Sequence, residues 1–159
     1  MVNIIQQIEQ LSERVIRVLG CNPGPKTLQG TNTYLVGTVK ARILIDTSHP
    51  NVPKYIKNLT SCLENFGGNS KILLQAIVIT HCHPDHVGGL LDVLTEIAES
   101  QSLPLLKFPL SKDESPPGNL SLNYKFLSDS ELIKTESAFF KVVSTPSHTN
   151  DHISLHLLE

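Results

Sequence analysis

Residues 80–89 read Thr80-His81-Cys82-His83-Pro84-Asp85-His86-Val87-Gly88-Gly89, directly after the apolar run Ala76-Ile77-Val78-Ile79. No other stretch limits the fold so tightly. A β-branched apolar run bounded by polar residues predicts a buried strand. In extended chain alternate side chains share a face, so His81 and His83 can point at one ion while Cys82 points away. Beyond them Val87, Leu90, Leu91, Leu94, Ile97 and Ala98 take up a helical spacing, which puts Asp85 and His86 at a helix start. Gly88-Gly89 allow the backbone to crowd this point. Zinc takes imidazole and carboxylate ligands, and a metal open on one side activates water. The alternative is a polar strand-to-helix loop that binds nothing, and three histidines with an aspartate at this density speak against it.

A chain of 159 residues predicts one domain over 1–159, large enough to bury a core. The formal net charge of −2 supplies no basic field from which to argue nucleic-acid binding. One Zn²⁺ would bring that to about zero and concentrate positive charge at its site, so a phosphodiester could be drawn there without a basic patch. No apolar run approaches the ~18 residues of a membrane span. Cys21, Cys62 and Cys82 are widely spaced and odd in number, which argues against a disulfide framework and for a reducing compartment. Cys82 reads as a packed core thiol rather than a ligand. Glu9 and Glu13 beside Arg14 and Arg17 suit neither a signal nor a transit peptide.

Ile4, Ile5, Ile8 and Leu11 predict a short opening helix. Strands are expected at 15–19, 33–37 and 42–46, with Asn22-Pro23-Gly24-Pro25 as a turn between the first two. Pro53 to Phe66 predicts a helix stopped by Gly67-Gly68. Strands follow at 77–80, 103–108, 132–134, 139–143 and 153–158, and Ser111 to Asn119 is a loop. Alternating strands and helices giving way to strands predict a mixed α/β (α+β) fold.

His-x-His-x-Asp-His after a buried strand resembles the metallo-β-lactamase superfamily of binuclear metal hydrolases. Arg42-Ile43-Leu44-Ile45-Asp46-Thr47 is similar to its strand-plus-acid motif, and Ser144-Thr145-Pro146-Ser147-His148-Thr149 to the turn that delivers the next histidine. Val18 to Pro25 with Leu28 to Val36 resembles, more narrowly, the beta-lactamase-like protein 2 group of animal mitochondrial endoribonucleases. The resemblance implies the N-terminal portion of an αββα sandwich and a C-terminally incomplete domain. It implies a zinc-dependent endoribonuclease on single-stranded RNA, and a mitochondrial address.

The resemblance also assigns roles. His81, His83 and His148 would hold a first zinc, and three neutral imidazoles leave a tetrahedral position for water. Asp85 and His86 would begin a second, partial site, with Asp85 helping to hold the attacking water; the other role open to Asp85 is a helix N-cap. Asp46 reads as the partner that steadies a metal-bound histidine, or as a strand-end turn residue. Asn32 and Thr33 are open between lining a cleft and turn chemistry. His49 and His156 read as surface positions, and His152 is left unassigned.

The chain departs from the family at Ser48 and Ser147, where the family has glycine. If either backbone needs positive φ, serine costs on the order of 1 kcal/mol. A glyoxalase II-like thioesterase uses the same metal pattern and is the alternative activity. A fragment that binds one zinc and catalyses nothing is the third reading.

Overall fold

The computed structural model describes residues 4–37, 41–67, 72–98, 103–110, 122–134 and 138–158. Its elements are β1 (Ile8–Gln10), β2 (Val15–Leu19), β3 (Asn32–Val36), β4 (Ala41–Ile45), α1 (Pro53–Asn65), β5 (Leu73–Ile79), α2 (Pro84–Val87), α3 (Leu90–Glu96), β6 (Leu105–Lys107), β7 (Tyr124–Phe126), β8 (Leu132–Lys134), β9 (Phe139–Ser144) and β10 (Ile153–Leu158). The expected loop at Ser111 to Asn119 and the stop residue Gly68 lie outside the described residues.

A seven-stranded sheet runs in the order β1 to β7, and a three-stranded sheet in the order β10-β9-β8. The first four strands pair antiparallel; β4, β5, β6 and β7 pair parallel. Alternation splits the core in two. Ile16, Val18, Leu35, Leu44 and Ile77 pack with Tyr55, Leu59 and Leu63 of α1 and Leu90 and Val93 of α3. Val36, Ile43, Ile45 and Val78 pack instead against Ile133, Phe140, Val142 and Ile153 of the small sheet. The layers are therefore helices, large sheet, small sheet. Both faces of β4 are covered, which explains why every residue of that strand is buried.

The β4–β5 register shifts between Arg42 and Ile43, so that Leu74 pairs with Arg42 but Ala76 with Ile43. Gln75 is the extra residue of this bulge, and it reverses the parity of the strand. Leu74 and Ala76, which would otherwise share a face, enter different cores. Parity matters because it fixes which way the chain leaves β5 on its way to His81.

The opening helix is corrected. Residues 8–10 form an edge strand, Ile8 opposite Val18, held also by the Arg17–Glu9 ion pair. Ile4 is 89 % and Leu11 49 % exposed, so only part of the helical spacing meets the core, through Ile8. The open edge of β2 offers backbone partners that outweigh it. Tyr124–Phe126 is a strand without a sequence expectation, added at the parallel edge of β6.

Candidate metal centre

Asp46 follows β4, and Thr80 and His81 follow β5, so the site opens at the carboxyl ends of two adjacent parallel strands, where crevices form in such sheets. His148 arrives from the small sheet, on the β9–β10 turn. The two sheets are joined at this end by Ile153 N–H donating to the Thr80 carbonyl at 3.0 Å. The turns beneath are tied as well: Thr47 donates through its N–H and its hydroxyl to the His86 carbonyl, and Gly89 N–H to the Ser48 carbonyl at 2.6 Å.

One ligand nitrogen from each of His81, His83 and His148 lies within 4.8 Å of the others. His83 Nδ1 and His148 Nε2 are 3.0 Å apart, close to the roughly 3.3 Å between nitrogens on one tetrahedral zinc. The His81 ring is 4.9 Å from that of His83 and 5.0 Å from that of His148, both edge-on. β5 ends at Ile79, so His81 and His83 are brought together by the bend at 81–82 rather than by strand pleat. Cys82 is half buried, not a core thiol, and its amide donates to Asp151 Oδ1.

A chain of protons fixes the tautomer of His81. Asp46 accepts from Thr80 N–H at 2.7 Å and from the Thr80 hydroxyl at 2.8 Å. The Thr80 oxygen, its own proton committed, accepts from His81 Nδ1–H at 2.9 Å. The lone pair of His81 is therefore on Nε2, which is buried and has no hydrogen-bond partner among the described residues. An orphaned buried acceptor among imidazoles costs free energy unless something electrophilic meets it. This donor set fits a borderline metal such as zinc. Burial, followed by the neighbouring histidines led by His86, pushes His81 down to about 3 and keeps it a neutral ligand. Burial and His148 likewise lower His83.

Asp85 and His86 converge beside this group, His86 Nε2 lying 3.3 Å from Asp85 Oδ2 and its ring 4.1 Å from that of His81. His86 Nδ1 faces Asp46 Oδ2 at 2.8 Å. Burial disfavours the charged form of His86, but the hydrogen bond and charge of Asp46, then the charge of Asp85, outweigh it and raise the pKa. Burial would raise Asp85; the charge of His86 and the Thr31 hydroxyl at 3.1 Å hold it below the usual carboxylate range instead. Asp85 is not the N-cap of α2. That position is His83, and Asp85 sits in the first turn. Asp46 is no mere turn residue: at φ 58 it braces His86 directly and His81 through Thr80.

Thr33 is fully buried and bonds to the Val18 carbonyl, so it lines no cleft, whereas Asn32 is exposed. His49 is half buried, close enough for its charge to act on Asp85. His156 is exposed on β10. Neither Ser48 nor Ser147 has positive φ, so serine brings no strain; the Ser48 hydroxyl donates to the Gly20 carbonyl at 2.6 Å.

Sequence reasoning passed over Thr31, Thr80, Lys107 and Asp151, and left His152 unassigned. Thr31 is held by Asn22, whose Nδ2 donates to Thr31 Oγ1 and whose Oδ1 accepts from Thr31 N–H. His152 stands 5.1 Å from His81, its Nδ1 2.8 Å from the Thr145 hydroxyl. Lys107 carried one signal, a lysine ending an otherwise apolar strand.

The sequence pattern of the "Metallo-beta-lactamase superfamily" matches residues 27–159. A "Beta-lactamase-like protein 2 homolog" of Caenorhabditis elegans is 43 % identical over 155 residues, which is 98 % of this chain and 50 % of that protein. An "Atrochrysone carboxyl ACP thioesterase" of Cryptosporiopsis sp. is 38 % identical over 98 % of this chain and 43 % of its own length. The chain thus spans about half the length of the curated relatives it matches. A subclass B3 metallo-beta-lactamase from a soil metagenome superimposes with a TM-score of 0.69 at 18 % identity, covering 96 % of this chain and 57 % of that one. At that identity the likeness shows the fold.

Proposed function

The chain belongs to the metallo-beta-lactamase superfamily, and from that premise we propose that it carries the metal-binding face of a zinc-dependent hydrolase that cleaves single-stranded RNA. The observation behind this reading is the convergence of His81, His83 and His148 around the buried His81 Nε2, which has no hydrogen-bond partner among the described residues. When bound there, zinc supplies Lewis acidity, bringing the pKa of water toward ~7 and offsetting charge that develops on a substrate oxygen.

The residues of the chain divide the remaining work. His81, His83 and His148 hold the ion. Thr80 keeps the His81 proton on Nδ1, away from it. Asp46 fixes the ring of His86, and Thr31 fixes the carboxylate of Asp85. Asp85 stays ionised and partly open to solvent, as a group that orients attacking water must be.

The RNA substrate is supported by the segment Val18 to Val36, which resembles the endoribonuclease group. That segment contains Asn22 and Thr31, so its side chains brace Asp85. A thioester substrate is the second reading, supported by a 38 % identical relative named as a thioesterase. Parallel assays on unstructured RNA and an acyl thioester, each with and without chelator, separate them. Chelator-sensitive RNA cleavage is expected; hydrolysis of the thioester alone removes the RNA reading.

A further inference from the structure

Lys107 and Asp151 form an ion pair inside the protein, outside the chemistry assigned above. Lys107, the last residue of β6, is 5 % exposed, and Asp151, in the β9–β10 turn, is fully buried. Lys107 Nζ stands 3.0 Å from Asp151 Oδ2, which has no other donor among the described residues, and 5.8 Å from the Tyr124 ring centre. Asp151 Oδ1 accepts from the Thr149 hydroxyl at 2.8 Å and from Cys82 N–H at 3.3 Å.

These partners lie on both histidine-bearing segments. The Cys82 amide belongs to the peptide that joins it to His81, one residue before His83. Thr149 is the residue after His148. One carboxylate therefore clasps the loop that carries two of the imidazoles to the turn that carries the third, and Lys107 anchors that carboxylate to the large sheet.

Stability alone does not account for such a pair. Desolvating two charges is costly, and well-packed apolar residues of the same volume are often as stable or more so. What an apolar pair cannot do is aim a carboxylate oxygen at an amide and a hydroxyl on separate segments. Partners behind metal ligands work by fixing ligand orientation, and their loss typically weakens metal binding 10- to 100-fold.

We propose that the Lys107–Asp151 pair is a positioning device that sets His148 against His81 and His83 and thereby determines the affinity of the centre for zinc. It rests on the reading that these three histidines hold the metal. Lys107 and Asp151 touch neither ion nor substrate in this role.

The test is zinc affinity of the purified protein, by competition with a chromophoric chelator, beside thermal unfolding of the metal-free form. The variants are Asp151→Asn, Lys107→Met and Lys107→Arg, with Leu59→Ala, a core truncation on α1, as a control for destabilisation. Asp151→Asn and Lys107→Met are expected to weaken zinc binding roughly 10- to 100-fold, Lys107→Arg to retain most of it, and Leu59→Ala to leave it near the parent value. Unchanged affinity in Asp151→Asn and Lys107→Met overturns the proposal, as does an equal loss in Leu59→Ala. Should Asp151→Asn not fold, Thr149→Val removes one arm of the clasp with the ion pair intact; several-fold weaker binding supports the role and unchanged binding overturns it. A parent protein that takes up no zinc fails differently, overturning the metal reading and this inference with it.

Discussion

The Thr80 hydroxyl donates to Asp46 Oδ2 across 2.8 Å, and so decides which nitrogen of His81 is free to bind. A carboxylate accepts only, and the hydroxyl has one proton to give. The tautomer of a buried imidazole is thus set by a residue two bonds of the network away from it.

Thr80→Val keeps the shape of the side chain and removes this relay. Zinc affinity is expected to fall roughly 10-fold or more, with His81 no longer confined to the Nδ1–H tautomer. Chelator competition measures the first effect and ¹⁵N shifts of the ring nitrogens the second. An unchanged tautomer and affinity would refute the relay.

Removal of metal should abolish the proposed hydrolysis, and zinc should restore it. His81→Ala and His148→Ala are each expected to lose the ion of the three-histidine group. Metal analysis of the purified variants reads this directly, without reliance on a substrate.

Acid stability carries the sign of the Asp151 shift. Burial would raise this carboxyl, but the hydrogen bonds of Lys107 and Thr149 and the charge of Lys107 hold it below its usual value. The unfolded chain, with a carboxyl near ~3.9, then binds the proton more tightly than the folded one. The contribution is fully present above that value and is lost as pH falls through the folded pKa. Urea unfolding from pH 7 down to pH 3 should show a flatter acid slope in Asp151→Asn than in the parent.

Gly88→Ala tests how α2 is seated. A Cβ there would lie 2.3 Å from the Pro84 carbonyl oxygen and 2.7 Å from Pro50 Cδ, although φ is an ordinary −64°. Close approach, not left-handed backbone, requires the glycine. Overpacking of this kind costs about 1–3 kcal/mol, to be measured as a lowered midpoint of denaturant unfolding.

Much of the site could be read along the chain because its ligands are local. His81, His83, Asp85 and His86 lie within one strand-to-helix connection, and the spacing of His81 and His83 alone suggests a shared ion. His148 was reached only through likeness to a known turn, since a lone histidine beside a proline has no intrinsic meaning. Thr80 stands next to His81 and was still missed: its role depends on Asp46, which arrives from another strand. The opening segment misled for the same reason. Its helical spacing is real, but the vacant edge of β2 makes it a strand.

Local order of residue types singled out the cluster from His81 to His86, most of the strands and the family, because period and spacing are properties of the chain itself. Tertiary structure decided the tautomer of His81, the pairing of Lys107 with Asp151 and the meeting of His148 with the other two imidazoles. Each joins segments far apart in sequence, and contacts of that kind exist only once both sheets have packed. A proton or a charge is placed by what surrounds it in space.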